Sequence, residues 1–94
     1  MVVDQTDPNV LNYLGYSHRK MGRLAEGMAY YKKALAIDPD FVLAREYLGE
    51  GYLAAGKLRL AEEQLAEIAK RCGTDCKAYR QLAAAISGTG TPDW

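Results

Sequence analysis

The chain contains 94 residues, of which 49% are hydrophobic, and its 12 lysines and arginines balance its 12 aspartates and glutamates. A chain of this length has room for one domain with a modest core and without a large enclosed active site. Its balanced charge lacks the excess of cations typical of nucleic-acid-binding proteins. No stretch approaches the roughly 18 apolar residues of a membrane-spanning helix. We therefore expect one small domain that neither binds nucleic acid nor spans a membrane.

Helix-breaking residues divide the chain into segments of roughly 12 to 15 residues, a length typical of helices. No Asn-Gly or Asp-Gly hairpin signal occurs, and apolar residues recur at helical spacing in each segment. These features predict an all-α protein. The breakers are Pro8, Gly22, Asp38 with Pro39, Gly56, Gly73 and Gly88.

The first two predicted helices have clear boundary signals. The first spans about 8–21, since Asp7 is an N-cap acceptor and Pro8 has a φ angle already suited to a first helical turn. The second spans 24–37 and must end at Asp38, because a residue before proline is disfavoured in the α region.

Three further helices follow. The third spans about 41–55 and ends before Gly56. The fourth, from Leu58 through Arg71, carries two cations in its last turn, where the helix dipole favours them. The fifth spans about 76–87, and the glycines and threonines of 88–94 predict a mobile tail.

A self-comparison of the sequence reveals a repeat of 34 residues. Leu14, Leu48 and Leu82 lie at this constant interval, and Tyr13 and Tyr47 lie at the same interval. A small residue directly follows each of these leucines. Such regular spacing is typical of stacked repeat units.

Glycine within the helices of the repeat indicates close helix contacts. Gly15 and Gly49 are one period apart, and each costs about 1 kcal/mol relative to alanine in a helix, so a steric reason is needed. We expect Gly15 to face Gly27, and Gly49 to face Ala61.

A larger set of residues recurs at the positions expected for packing within and between these units: Leu14, Gly15, His18, Gly27, Tyr31, Ala34, Pro39, Leu48, Gly49, Tyr52, Ala61, Leu65, Ile68 and Leu82. The pattern resembles the tetratricopeptide repeat, a 34-residue helix-turn-helix unit, over about residues 8–87. Leu65, Ile68 and Gly73 depart from the family's usual aromatic residue, alanine and proline, which suits a terminal repeat. The resemblance implies about two and a half units, with five helices in antiparallel hairpins that stack in a right-handed superhelix.

The resemblance also implies an organisation of the chain. We expect an N-terminal extension at 1–7, repeats at 8–41 and 42–75, a C-terminal capping helix at 76–87 and a flexible tail at 88–94. The capping helix would cover the open face of the last repeat, as such arrays require at their ends.

Patterns typical of catalysis are missing from the sequence. The one imidazole belongs to His18, and the equivalent positions one and two periods later are Tyr52 and Ile86, so this is a packing position. The glutamates of the fourth helix lie on its outer face, where solvent exposure is the default. No Walker, Rossmann or zinc motif occurs. We predict a protein that is not an enzyme and needs no cofactor or metal.

The two cysteines, Cys72 and Cys76, lie on either side of a three-residue connection. Three interpretations remain open: a disulfide, which the short connection allows, a pair of reduced thiols, or a redox switch with an activated thiolate. A bridge would indicate an oxidising compartment such as a periplasm, whereas reduced thiols would suit the cytoplasm.

The segment from Cys72 to Tyr79 resembles the C-terminal end of short bacterial tetratricopeptide proteins that are often exported. This resemblance favours the bridge. Because Met1–Asp7 do not look like a signal peptide, an exported protein would then derive from a longer precursor.

The family's ligand surface is a concave groove lined by the first helix of each hairpin. By the family's pattern, the residues that line it here are Asn9, Asn12, Tyr16, Arg19, Lys20, Leu43, Glu46, Glu50, Leu53, Lys77 and Arg80. Asparagines suit the backbone of an extended peptide, and the two glutamates would attract a lysine or arginine. The alternative is that this face is ordinary solvated surface.

The resemblance therefore implies a scaffold that binds a peptide segment or helix of another protein. Chaperone-binding members of the family clamp a C-terminal carboxylate with cationic and amide side chains. Here Glu46 and Glu50 occupy positions where that clamp needs donors, so this mode is disfavoured. An acidic segment could still be contacted at the rim by Arg19, Lys20 and Arg80. The alternative function is self-association as a homodimer, through the open face of the first repeat or through a surface that carries Met28, Tyr30 and Leu60.

Overall fold

A computed structural model describes residues 6–88, and the predicted residues 1–5 of the N-terminal extension and 89–94 of the tail lie outside this range. The described residues form five helices and confirm the all-α prediction. The observed helix bounds differ from the predicted bounds by at most one residue at each end. The residues that were predicted as helical but lie just outside a helix are its caps: Met21, Phe41, Ala55 and Cys76. The helices are α1 (Pro8–Lys20), α2 (Leu24–Ile37), α3 (Val42–Ala54), α4 (Leu58–Cys72) and α5 (Lys77–Ser87).

The helix boundaries follow local chemistry. The Asp7 carboxylate accepts a hydrogen bond from the Asn9 amide at 2.9 Å, which caps the start of α1. Gly22 and Gly56 end the first helix of each hairpin with positive φ angles of 84° and 76°. In both turns the amide after the glycine donates a 2.8 Å hydrogen bond to the carbonyl five residues earlier. The two hairpins thus turn in the same way one period apart.

The first hairpin, α1 with α2, closes through two facing glycines. A Cβ atom on Gly15 would lie 2.8 Å from the Gly27 carbonyl oxygen and 2.5 Å from the Tyr31 ring. A Cβ atom on Gly27 would lie 2.6 Å from the Gly15 carbonyl oxygen. The backbones of α1 and α2 therefore meet directly, as the glycine spacing predicts.

The second in-helix glycine of the repeat has a different neighbour from the expected one. The nearest atoms to a Cβ on Gly49 belong to Leu82, at 2.6 Å, and not to Ala61. The reason is that α5 packs on α3 as well as on α4 and lays Leu82 over this glycine. Because Gly49 has no side chain, Leu82 of α5 can pack directly on α3.

Buried side chains form three clusters that follow one another along the stack. Ala34 and Ala44 of one cluster lie one 34-residue period before Ile68 and Ala78 of another, so the two junctions repeat the same contact. The cluster of Ala34 and Ala44 is the first along the stack and also contains Leu11 from α1, whereas the cluster of Ile68 and Ala78 is the last and also contains Leu82 from α5. The middle cluster joins α2, α3 and α4. The middle cluster contains Tyr31, Leu48, Tyr52 and Ala61.

The predicted packing residues are all buried or half-buried with one exception. Pro39 lies exposed in the connection between α2 and α3, where its carbonyl accepts a 2.9 Å hydrogen bond from Arg45 Nε. Its role is to end α2, because proline disfavours the α conformation of the preceding residue. Within residues 6–88, none of the helices combines the length and apolar character needed to cross a membrane.

Candidate functional site

Three hollows lie side by side across α1, α3 and α5. The asparagine cavity, of about 330 Å³, is named for Asn9 and Asn12, and the acidic cavity, of about 550 Å³, is named for Glu46 and Glu50. The two cavities share Leu43 and Tyr47 in their lining. The acidic cavity in turn shares Lys77 and Gln81 with a hollow of about 430 Å³. Together they make one groove. The asparagine cavity is lined by Asn9, Asn12, Tyr13, Tyr16, Phe41, Leu43 and Tyr47, the acidic cavity by Val42, Leu43, Glu46, Tyr47, Glu50, Cys72, Cys76, Lys77, Ala78 and Gln81, and the third hollow by Lys77, Arg80, Gln81 and Ala84.

Eight of the predicted groove residues line these hollows: Asn9, Asn12, Tyr16, Leu43, Glu46, Glu50, Lys77 and Arg80. Their positions follow the repeat. Asn12, Glu46 and Arg80 are separated by 34 residues each, so equivalent positions of α1, α3 and α5 follow one another along the groove.

Three predicted groove residues line none of these hollows. Lys20 is exposed and its ammonium lies 5.5 Å from the centre of the Tyr16 ring. Leu53 is half-buried and packs against both the middle and the last core cluster. It therefore belongs to the core and not, as predicted, to the groove.

The third of these residues, Arg19, is buried, and the prediction of a rim contact for it is wrong. Its side chain is only 6% exposed, and its guanidinium carbon lies 5.9 to 6.0 Å from the ring centres of Tyr16, Tyr31 and Tyr47. Each such cation–π contact stabilises a desolvated arginine. Burial raises the pKa of Tyr31 to about 12, although the Arg19 charge opposes this shift. Arg19 thus holds α1, α2 and α3 together beneath the groove.

Tyr13 and Tyr47 line the groove but were not identified as groove residues from the sequence. Tyr47 lines both cavities and packs against Tyr16 and Tyr31 with ring centres 5.8 Å apart in each pair. The signal was present, since Tyr47 repeats Tyr13 after 34 residues and Tyr13 also lines the asparagine cavity. Tyr47 is thus an aromatic residue that the two cavities share.

The acidic cavity contains two buried carboxyl groups. Glu46 and Glu50 are 6% and 4% exposed and lie one turn apart on the same face of α3. Burial is the main cause that raises the pKa of Glu46 to about 8, and the charge and hydrogen bond of Glu50 add to it, whereas Lys77 opposes it. The protonated form of Glu46 is therefore favoured to a higher pH than that of an exposed glutamate. Two neighbouring buried carboxyl groups each make ionisation of the other less favourable.

The asparagine cavity also has a buried polar side chain. Asn12 is 5% exposed, and its Oδ1 atom has no hydrogen-bond partner in the described part of the chain. A buried amide oxygen without a partner costs free energy that a donor from a ligand or solvent would recover.

The wall of the acidic cavity includes a disulfide. Cys72 at the end of α4 and Cys76 before α5 are bonded, with their Cα atoms 5.9 Å apart. The bond ties the start of α5 to the end of α4 and so fixes one side of the cavity, which Lys77 also lines.

His18 lies outside the groove cavities and has structural contacts. Its Nδ1 atom lies 2.7 Å from the Leu14 carbonyl oxygen, and its ring packs against Tyr30 at 4.9 Å between centres. Among residues 6–88, no group of three histidine, cysteine, aspartate or glutamate side chains is placed to hold a metal ion.

One of the two surfaces predicted for self-association, the one with Met28, Tyr30 and Leu60, is not an exposed patch. Met28, Tyr30 and Leu60 are all half-buried and pack against core clusters. Met28 also lines a cavity of about 280 Å³ that includes Lys57 and lies apart from the groove residues. The correction follows from the stacking of α2 on α3, which covers side chains that one isolated hairpin would expose.

Comparison with known proteins agrees with this architecture. A model of the tetratricopeptide repeat family matches residues 8–41, which contain α1 and α2. No curated protein and no solved structure matches the chain. The matched unit resembles a tetratricopeptide repeat, and the second hairpin follows it in the same 34-residue register.

Proposed function

We propose that this protein is a non-enzymatic interaction module whose groove binds a peptide segment or helix of a partner protein. Tetratricopeptide repeats generally mediate protein–protein interaction, and stacked repeats present extended concave surfaces for this purpose. The observation that carries the proposal is the row of three adjoining hollows across α1, α3 and α5.

The chemistry of the groove supports a peptide ligand. Leu43 is 39% exposed and lines two cavities, so it offers an apolar contact at the middle of the groove. Tyr13 is 69% exposed and lines the same cavity as Asn12, whose unpartnered Oδ1 atom can accept a hydrogen bond from a peptide backbone N–H group. Apolar and aromatic contacts with a few polar groups are typical of protein interfaces.

A peptide library tests this proposal. The intact chain is immobilised and exposed to displayed random 12-residue peptides, and the recovered peptides are titrated against two variants. Leu43→Arg places a bulky cation in the middle of the groove. Leu58→Arg is the matched control, since Leu58 is also an exposed leucine in the first turn of a helix and lies outside the groove.

We expect the recovered peptides to lose at least tenfold in affinity for Leu43→Arg and to keep their affinity for Leu58→Arg. Recovery of no binding peptide, or equal losses for both variants, would contradict the proposed groove.

We also propose an oxidising compartment for the protein. The support is the bond between Cys72 and Cys76, because disulfides persist in such compartments and are rare in the cytosol. Trapping thiols in intact source cells before lysis measures this directly. Unlabelled cysteines are expected, and full labelling of both would contradict the compartment.

A further inference from the structure

The acidic cavity combines a buried acid with walls suited to a long cationic side chain. Glu46 is 6% exposed and lines the cavity. Within residues 6–88, no lysine or arginine pairs with its carboxyl group, and Lys77 is exposed. A buried carboxyl group without a cation is costly unless it remains protonated. Lys77 lines the same cavity, but no salt bridge joins its ammonium to Glu46, so the carboxyl group has no direct ion-pair partner among the described residues.

The other walls fit the rest of such a side chain. Val42, Leu43 and Ala78 offer apolar surface along which the methylene groups of a lysine or arginine can lie. Tyr47 adds an aromatic ring, and the face of such a ring attracts a cation. With a volume of about 550 Å³, the cavity is in the range of small-ligand pockets.

We propose that the acidic cavity takes a lysine or arginine side chain of the bound partner, whose cation pairs with the Glu46 carboxylate. This inference rests on the proposed function, and it assigns the cavity the role of selecting basic partner segments.

Binding of the cation requires a change of protonation. In the free protein burial and Glu50 favour the protonated form of Glu46 by raising its pKa, against the opposing charge of Lys77. When the cation enters, the O–H bond of Glu46 breaks, the proton passes to solvent, and the carboxylate pairs with the cation. One proton is released for each cation bound.

The surrounding groups set the direction of the pH effect. Glu50 and Tyr47 share α3 with Glu46, Lys77 faces it from α5, and the bridged Cys72 of α4 does not titrate. The Tyr47 ring packs in turn against Arg19 of α1 and Tyr31 of α2. Because Glu46 must lose its proton, affinity for a basic peptide rises with pH by up to tenfold per unit below about pH 8. A ligand that accepts a hydrogen bond from the protonated acid would show the opposite trend.

The test uses library peptides that bind the intact chain and lose affinity for Leu43→Arg. The sequences are aligned, and one peptide is compared with its copy in which norleucine replaces the basic residue. Both are titrated at pH 5.5, 6.5 and 7.5 against the wild type, Glu46→Gln and Glu62→Gln. Glu62 is an exposed carboxylate on α4 and provides the control for loss of one acidic group.

We expect a lysine or arginine at one shared position, a loss of at least tenfold with norleucine at pH 7.5, and tighter binding as pH rises. Glu46→Gln should remove both the preference and the pH trend, and Glu62→Gln should keep both. Glutamine resembles the protonated acid, so we expect the variant to fold. Lys77→Met provides a second test on an exposed side chain, and it should strengthen binding of the basic peptide.

Peptides that bind the groove without a basic residue, or an unchanged preference in Glu46→Gln, would overturn this inference and leave the proposed function standing. Weaker or unchanged binding of the basic peptide to Lys77→Met would also overturn it. Recovery of no groove-dependent peptide would instead contradict the proposed function, and this inference with it.

Discussion

Replacing Glu46 by glutamine removes a buried group whose protonation changes on folding. Its pKa is about 8 in the folded protein, compared with the ordinary value of 4.5 that we take for the unfolded chain. Between these two values the folded state holds a proton that the unfolded state has lost. The stability that this proton contributes is fully present below pH 4.5 and is lost as the pH rises to 8.

The magnitude follows from the size of the shift. Each pKa unit corresponds to about 1.4 kcal/mol, so the wild type loses on the order of a few kcal/mol through this group as the pH rises from 4.5 to 8. Glutamine does not titrate. The free energy of unfolding of Glu46→Gln should therefore equal that of the wild type near pH 4.5 and exceed it increasingly as pH rises.

Urea unfolding followed by circular dichroism at pH 5, 6, 7 and 8 measures this difference. Glu62→Gln serves as the control for loss of one acidic group, because Glu62 is exposed on α4. A constant difference between Glu46→Gln and the wild type over this range, or a less stable variant at pH 8, would refute the reasoning.

Three further predictions concern the packing of the array. Leu48→Ala should lower the free energy of unfolding by roughly 2–5 kcal/mol in urea, since Leu48 is 3% exposed in the middle cluster, and a change below about 1 kcal/mol would contradict the repeat register. Gly15→Ala should lower it by about 1–3 kcal/mol despite the better helix propensity of alanine, because the new methyl group would meet Tyr31, and a stabilised variant would show that the helices can separate without cost. Replacement of Cys72 and Cys76 by alanine should lower it by about 2 kcal/mol, as the short closed loop implies, and an unchanged urea midpoint would exclude a stabilising bond.

Much of the fold could be predicted because its signals are local and periodic. Gly22 and Gly56 end equivalent helices, Asp38 is restricted by the following proline, and the constant 34-residue interval shows that the units stack. The neighbour of Gly49 could not be predicted in the same way. It depends on how α5 lies across α3, and this is a property of the whole stack.

In the groove, too, the repeat register predicted the positions of side chains but not their burial by neighbouring helices. The 34-residue register correctly relates Asn12 to Glu46, and both line cavities. The burial of Arg19 was missed, because the rings that cover it come from α2 and α3 as well as from its own helix. The raised pKa of Glu46 likewise depends on burial by surrounding helices. Helical spacing gives the direction of a side chain, and the neighbouring helices decide whether it remains in solvent.

The self-association surface illustrates a further limit of sequence patterns. Met28 and Leu60 are apolar residues of α2 and α4, and their exposure depends on whether the next hairpin covers them. In the structure both pack against the middle cluster. An apolar side chain in a repeat therefore indicates contact with a neighbouring unit as readily as contact with another molecule.

The most direct test of groove binding is an NMR titration of the ¹⁵N-labelled intact chain with a library peptide. We expect saturable changes in amide chemical shift concentrated around Tyr13, Leu43 and Lys77, which line the three adjoining hollows. Changes concentrated instead around Met28 and Lys57, which line the separate cavity, or shifts that do not saturate, would contradict the groove as the site of binding.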